Sequence, residues 1–197
     1  MSPTWHLPWS SRDPGAAAPP AEVLGRAALP RGEKVLAAAT TADGTWLLGT
    51  RERLVLVEER GVTWLAWERV EDAAWDSEGG RLRLRGVGDY GRRRPEWSWE
   101  MEEPPLLLQL LRERVTASIV LQRKVPVRAG QGVTVIARRS PVGGPVAWMH
   151  SYDAGLDPDD PEVQAVSDLA LTQARSELGE AADGTSLADR VGRPGPI

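Results

Sequence analysis

Few residues in this chain could carry out chemistry. Only His6 and His150 are histidines, and there is no cysteine. A Ser-His-Asp relay would therefore have to be built around one of these two. His150 stands beside Ser151 and close to Asp153 in sequence, but successive residues of a strand point to opposite faces, so adjacency does not supply triad geometry. A structural histidine is the simpler interpretation, and no catalytic residue is assigned. The lack of cysteine removes disulfides, thiolate nucleophiles and cysteine-ligated metal centres together, and it suits a reducing, cytoplasmic setting.

The carboxylates of residues 153–162 are the densest acidic cluster, with Asp153, Asp157, Asp159, Asp160 and Glu162. Their order is not that of an EF-hand loop, and Pro158 and Pro161 prevent its turn. An acidic residue followed by proline and more acid is instead a helix start, with Asp159 and Asp160 as candidate caps. Residues 86–91 and Gly143-Gly144 are glycine-rich but match neither a P-loop nor a dinucleotide fingerprint. Neither a cofactor nor a metal is expected.

Basic and aromatic residues are the remaining candidates. Arg92, Arg93 and Arg94 follow one another in a loop bounded by Gly91 and Pro95, and Arg81, Arg83 and Arg85 alternate just before it. Together they could meet carboxylates or phosphates as one basic surface. A solvated strand face and loop is the plainer alternative, because the net charge of the whole chain is -4. That charge argues against nucleic-acid binding through overall basicity. Trp5 and Trp9 stand out in a polar N-terminal arm, where an indole is suited to docking on something else. Nine Trp, two Tyr and no Phe mean that indoles must supply most of the large core side chains.

The elements that would position these residues follow from periodicity. Residues 1–30 are rich in Pro and Ala and are expected to be a disordered arm, with one short helix after Pro20 at residues 21–28. Its start lacks the basic and apolar regions of a secretory signal. Short β segments follow at 34–41, 45–50, 53–57, 62–67, 70–76, 81–87 and 96–101, separated by turn signals such as Asp43-Gly44. The period is clearest in 81–87, where Leu82 and Leu84 face one way and the three arginines the other.

At Pro104 and Pro105 the pattern becomes helical, with Leu107, Leu110, Leu111 and Val115 as its apolar stripe. Residues 119–127, 132–139 and 146–152 predict a three-stranded meander whose surface carries Arg123, Lys124, Arg128, Arg138 and Arg139. A helix from Pro161 to about Leu178 should pack on it through Val163, Val166, Ala170 and Ala174, ending at Gly179. Residues 180–197 are expected to be a disordered tail. The longest apolar run, 106–111, is far short of the roughly 20 residues of a membrane span.

Seven short strands and an amphipathic helix, with Gly49-Thr50-Arg51-Glu52-Arg53-Leu54-Val55-Leu56 followed by Leu65-Ala66-Trp67-Glu68-Arg69-Val70, resemble bacterial PH and GRAM-type domains. The chain as a whole also resembles proteins of high-GC Gram-positive bacteria, which implies no activity. The first resemblance implies a mainly β, α+β protein: a PH-like seven-stranded barrel or sandwich over residues 31–118 closed by its C-terminal helix. The meander and second helix, residues 119–179, lie outside that unit. PH domains that hold phosphoinositides place basic residues around the first hairpin. Here that turn is Thr41-Ala42-Asp43-Gly44, so the resemblance implies the fold without the lipid function.

The expected function is a non-enzymatic interaction or adaptor module with a protein partner. Weak contact with an anionic membrane surface or another polyanion is the first alternative, and a metal-dependent enzyme using the acidic segment is the second. Residues carrying the partner contact would be Arg92, Arg93, Arg94, Arg81, Arg83, Arg85, Trp5 and Trp9.

Overall fold

A computed structural model describes residues 18–88 and 94–179. It is a mainly β, α+β structure of three antiparallel sheets and three α-helices. The chain begins with α1 (Ala21–Ala27), then β1 (Ala37–Thr40), β2 (Trp46–Gly49), β3 (Arg53–Glu58) and β4 (Gly61–Ala66), which pair in that order into one sheet. A 3-10 turn at Trp67–Arg69 leads into β5 (Val70–Asp76), β6 (Arg81–Gly86) and β7 (Glu96–Glu100), a second sheet in sequence order. Helix α2 (Pro105–Ser118) runs directly into β8 (Ile119–Arg128), which forms a third sheet with β9 (Gln131–Arg138) and β10 (Ala147–Tyr152). Helix α3 (Pro161–Glu177) follows.

The first two sheets share one core. Leu47, Leu54 and Leu56 from one sheet meet Leu82, Leu84 and Trp99 from the other, and α2 covers them with Leu107, Leu110 and Leu111. Val115 packs against the same cluster while remaining partly exposed. The expected stripe is therefore the buried face of α2. No sheet closes into a barrel: the 3-10 turn interrupts the ladder between β4 and β5. Near the far corner, the Ala42 amide after β1 donates to the Glu100 carbonyl at 2.7 Å.

Trp67 sits in that 3-10 turn with no exposed surface, and its indole N–H donates to the Thr50 carbonyl at 3.2 Å. A buried indole needs such an acceptor, and the β2–β3 turn provides it. That turn is braced by the Thr50 hydroxyl, which accepts from the Glu52 and Arg53 amides at 3.2 and 3.1 Å. The same hydroxyl lies 2.5 Å from Glu33, which also pairs with Arg53 at 3.1 Å. Trp75 differs from Trp67, because its Nε1 is buried without a partner.

The short helix expected at residues 21–28 is present as α1. From Ala18 onward the chain is described, and α1 docks on the outer face of the first sheet. Ala27 is buried there among Leu48, Val55 and Val57. Arg26 donates to the carbonyls of Glu58 and Glu59 in the β3–β4 turn, fixing the helix end. A seven-residue helix is too short to persist alone, so this docking is what holds it.

The third sheet is the expected meander, covered by α3 in two clusters. Val133 meets Leu156 and Val163, and Val135 meets Ala170 and Ala174. Ser167 rather than Val166 occupies the buried middle of α3. Its hydroxyl donates to the Val163 carbonyl at 2.7 Å, so the small polar side chain enters satisfied, while the β-branched valine lies half out.

Arg138 corrects a second expectation, since it is a joint rather than a surface decoration. Val133, Val135 and Ala137 share the face under α3, so Arg138 points to the other face, toward β5. Its guanidinium donates to the Val70 carbonyl at 2.8 Å, the Ser118 hydroxyl at 2.9 Å and the Glu71 carbonyl at 3.0 Å. Burial pushes this guanidinium below its ordinary pKa, with Glu71 opposing the shift.

Two substitutions test these supports. Leu110→Asp places an unpaired charge under α2 and is expected to lower stability by more than about 3 kcal/mol in urea unfolding. Arg138→Ala strands buried carbonyls and is expected to cost at least about 2 kcal/mol, with the third sheet unfolding in an earlier separate step. One unchanged transition would show that Arg138 does not join the two parts.

Candidate functional site

The arginine ladder on β6 lies on the exposed face of the second sheet, but it is not an open basic patch. In the register, Arg85 lies between Asp72 and Glu96, Arg83 between Ala74 and Ser98, and Arg81 between Asp76 and Glu100. Arg81 is paired with Glu100, and Arg85 reaches Glu96 at 3.6 Å. Three arginines are thus flanked by four carboxylates on the same face, so the local charge is slightly acidic. Such exposed cross-strand pairs contribute little to stability, but they cancel the field an anion would feel.

Arg94 is also engaged, with its guanidinium 2.9 Å from Glu71 on β5. Arg92, Arg93, Trp5 and Trp9 lie outside the described residues.

The acidic segment is used internally. Asp160 caps α3 by accepting from the Glu162 amide at 2.9 Å. Arg128, at the tip of the β8–β9 hairpin, reaches Asp160 at 2.6 Å and Glu162 at 2.9 Å. Asp153 accepts from Lys124 at 2.7 Å and from the Gly132 amide at 2.9 Å. The Arg128 contact holds the Asp160 carboxyl below the usual carboxylate range, and Lys124 does the same for Asp153. Among the described residues, no three metal-ligating side chains converge.

His150 lies on β10 opposite Val135, under α3. Its Nε2 is buried without a partner. Ser151 occupies the opposite face, and the Asp153 carboxylate is committed to Lys124, so the three residues form no relay. Burial pushes the imidazolium below its ordinary pKa, and the neighbouring Arg175 adds to this, while the Ser167 backbone and Asp168 oppose it.

A concave apolar surface lies elsewhere among the described residues, and it was not anticipated from the sequence. A groove of about 760 Å³ opens between α1, the segment leading into β1, and the start of α2. Leu24, Leu36 and Leu106 line it, and they are 40%, 40% and 42% exposed, so three large apolar side chains from three elements remain wet in one place. Small residues, Gly25, Ala28 and Ala38, leave the space between them. Beside the groove, β1 is an edge strand, hydrogen-bonded on one side to β2 and to no described strand on the other. Alternate N–H and C=O groups of such a strand point outward, unpaired.

The walls follow from local sequence. Pro20 starts α1 and Ala28 ends it in the left-handed conformation at φ 47°, turning the chain back toward β1. That conformation costs a non-glycine residue about 1 kcal/mol. The only sequence signal for the groove was the short helix after Pro20; its docking place depends on Ala27 and Arg26 finding β3 and the turn beyond it.

No protein-family model matches this sequence, and no curated protein is significantly similar to it. Candidate function therefore rests on geometry.

The buried histidine gives a pH expectation. A group whose folded pKa is depressed binds more protons when unfolded, so stability present above the unfolded value, about 6.5, is lost as pH falls below it. The melting temperature should drop between about pH 7 and pH 5, and His150→Phe should flatten that slope. Asp153 and Asp160, and Asp43, whose carboxyl the Thr41 hydroxyl holds below the usual carboxylate range, act in the same direction only nearer pH 4, so an unchanged slope in His150→Phe would count against the histidine.

Proposed function

We propose that the protein is a non-enzymatic interaction module on a PH-like scaffold, holding an extended apolar segment of a protein partner along β1. The scaffold proposal is supported by the order of four strands, three strands and a closing helix around one core. The observation that carries the function is the free edge of β1 beside exposed Leu24, Leu36 and Leu106. An edge strand supplies main-chain hydrogen bonds and flanking pockets select side chains, which is the physics of strand addition. Contact through the arginine face is less favoured, because Arg81, Arg85 and Arg94 already pair with carboxylates. A cytoplasmic setting fits the cysteine-free composition.

The test compares two surfaces on the full chain with a partner captured from the native cell and then purified. Leu36→Glu is expected to weaken binding at least about tenfold, as for an anchor at the centre of an interface. Arg81→Glu, Arg83→Glu and Arg85→Glu together should change it less than about twofold at physiological salt. The opposite pattern, with a salt-dependent loss on arginine reversal, would sink the groove and favour an anionic surface.

A further inference from the structure

We infer that the partner segment held in this groove carries a lysine or arginine side chain at the end nearest Glu33, whose buried carboxylate is the groove's polar anchor. This rests on the groove reading above and names the chemistry of the segment it takes.

Glu33 stands just ahead of β1, in the groove wall. Its side chain is 6% exposed, and its Oε2 is buried without a hydrogen-bond partner. A carboxylate oxygen in that position has lost its hydration and gained no protein donor in exchange, which is unfavourable by more than the missing bond alone. It calls for a donor from outside the fold.

The neighbouring donors are committed elsewhere. The Thr50 hydroxyl and the Arg53 Nε both lie against Oε1, at 2.5 and 3.1 Å. Arg53 Nη2 turns instead to Glu52 at 2.8 Å, while its guanidinium lies 4.9 Å from the centre of the Trp64 ring. Two carboxylates therefore share one guanidinium, and the three groups sum to one negative charge. Lys34 follows in sequence and also lines the groove, but it is exposed and leaves Oε2 unfilled. Water and salt screen its ammonium far more than they screen the buried oxygen. A cation brought by a partner thus supplies both the missing charge and the missing donor.

The path of the chain decides which end of the segment is basic. Ala37 pairs with Gly49, and farther back Glu33 meets Arg53 at the start of β3, so Glu33 prolongs the line of β1 beyond its first residue. A strand added along β1 passes Glu33 at one end only. Its apolar residues cover Leu24, Leu36 and Leu106, and its basic residue lies at a constant spacing from them on the Glu33 side. The terminal torsion of a glutamate is soft, so a modest turn brings Oε2 to the groove. A charge-assisted bond there is about twice as strong as a neutral one.

A displayed library of random linear peptides, selected on the full chain, supplies the probe. Enriched peptides should share alternating apolar residues with lysine or arginine at one constant end. In a synthetic consensus peptide, citrulline in place of arginine or norleucine in place of lysine should weaken binding to the wild-type chain at least about tenfold, and to Glu33→Gln less than about twofold. Leu36→Ser, which adds no charge, should weaken both peptides at least about tenfold. In the wild-type chain the carbon resonance of the Glu33 carboxyl should move with the basic peptide and stay still with the neutral one. That readout decides the matter if Glu33→Gln does not fold, and an unmoved resonance overturns the inference. Peptides that depend on Leu36 but lack a basic residue, prefer an acidic one, or lose equally on Glu33→Gln also overturn it and leave the groove reading standing. No enrichment, or binding indifferent to Leu36→Ser, overturns the groove reading and the inference with it.

Discussion

The buried indole of Trp67 is the contact on which the first two sheets depend. It stands where the ladder breaks between β4 and β5, so its bulk rather than backbone pairing joins the sheets at that corner. Its hydrogen bond to Thr50 fixes the indole to the β2–β3 turn, and the Thr50 hydroxyl ties that turn to Glu33 ahead of β1. The path of the chain into β1 is thus set by a network that begins in the core. Because β1 is placed there, with α1 on the outer sheet face and α2 over the inner core, a gap opens between the two helices along the edge strand.

Arg138 plays the corresponding part between this unit and the third sheet. A guanidinium offers several donors in a rigid plane, so one side chain can satisfy two carbonyls of β5 and the hydroxyl that ends α2. Desolvating it is unfavourable, and its Nε remains unpartnered, yet the carbonyls it meets would otherwise be buried without donors. The direct run from α2 into β8 leaves no linker residues, so this joint acts across a short, stiff connection.

Several charges are paired locally. Arg81 and Arg85 of β6, Arg128 at the tip of the β8–β9 hairpin and Arg94 each find carboxylates on the nearest strand or helix. These exposed pairs are weak individually. Their consequence is that the β6 face presents no open basic patch, whereas Leu24, Leu36 and Leu106 around β1 stay 40%, 40% and 42% exposed.

Local periodicity was enough to place nearly every element. The alternation of Leu82 and Leu84 with three arginines, the stripe of Leu107, Leu110 and Leu111, and the Asp160-Pro161 start of α3 each encode their own geometry, because strand and helix periods are properties of neighbouring residues. Composition likewise excluded cysteine chemistry. What sequence could not decide was which side chains meet across long separations. Arg138 looked like any surface arginine until register turned it toward β5, and Ser167 took the buried place in α3 because a small, self-satisfied side chain fits where Val166 is rotated outward. The basic surface was legible as arginines but not as ion pairs, since the pairing carboxylates come from strands on both sides of β6. The groove was invisible for the same reason: Leu24, Leu36 and Leu106 belong to three separate elements, and only tertiary packing brings them to the open edge of one strand.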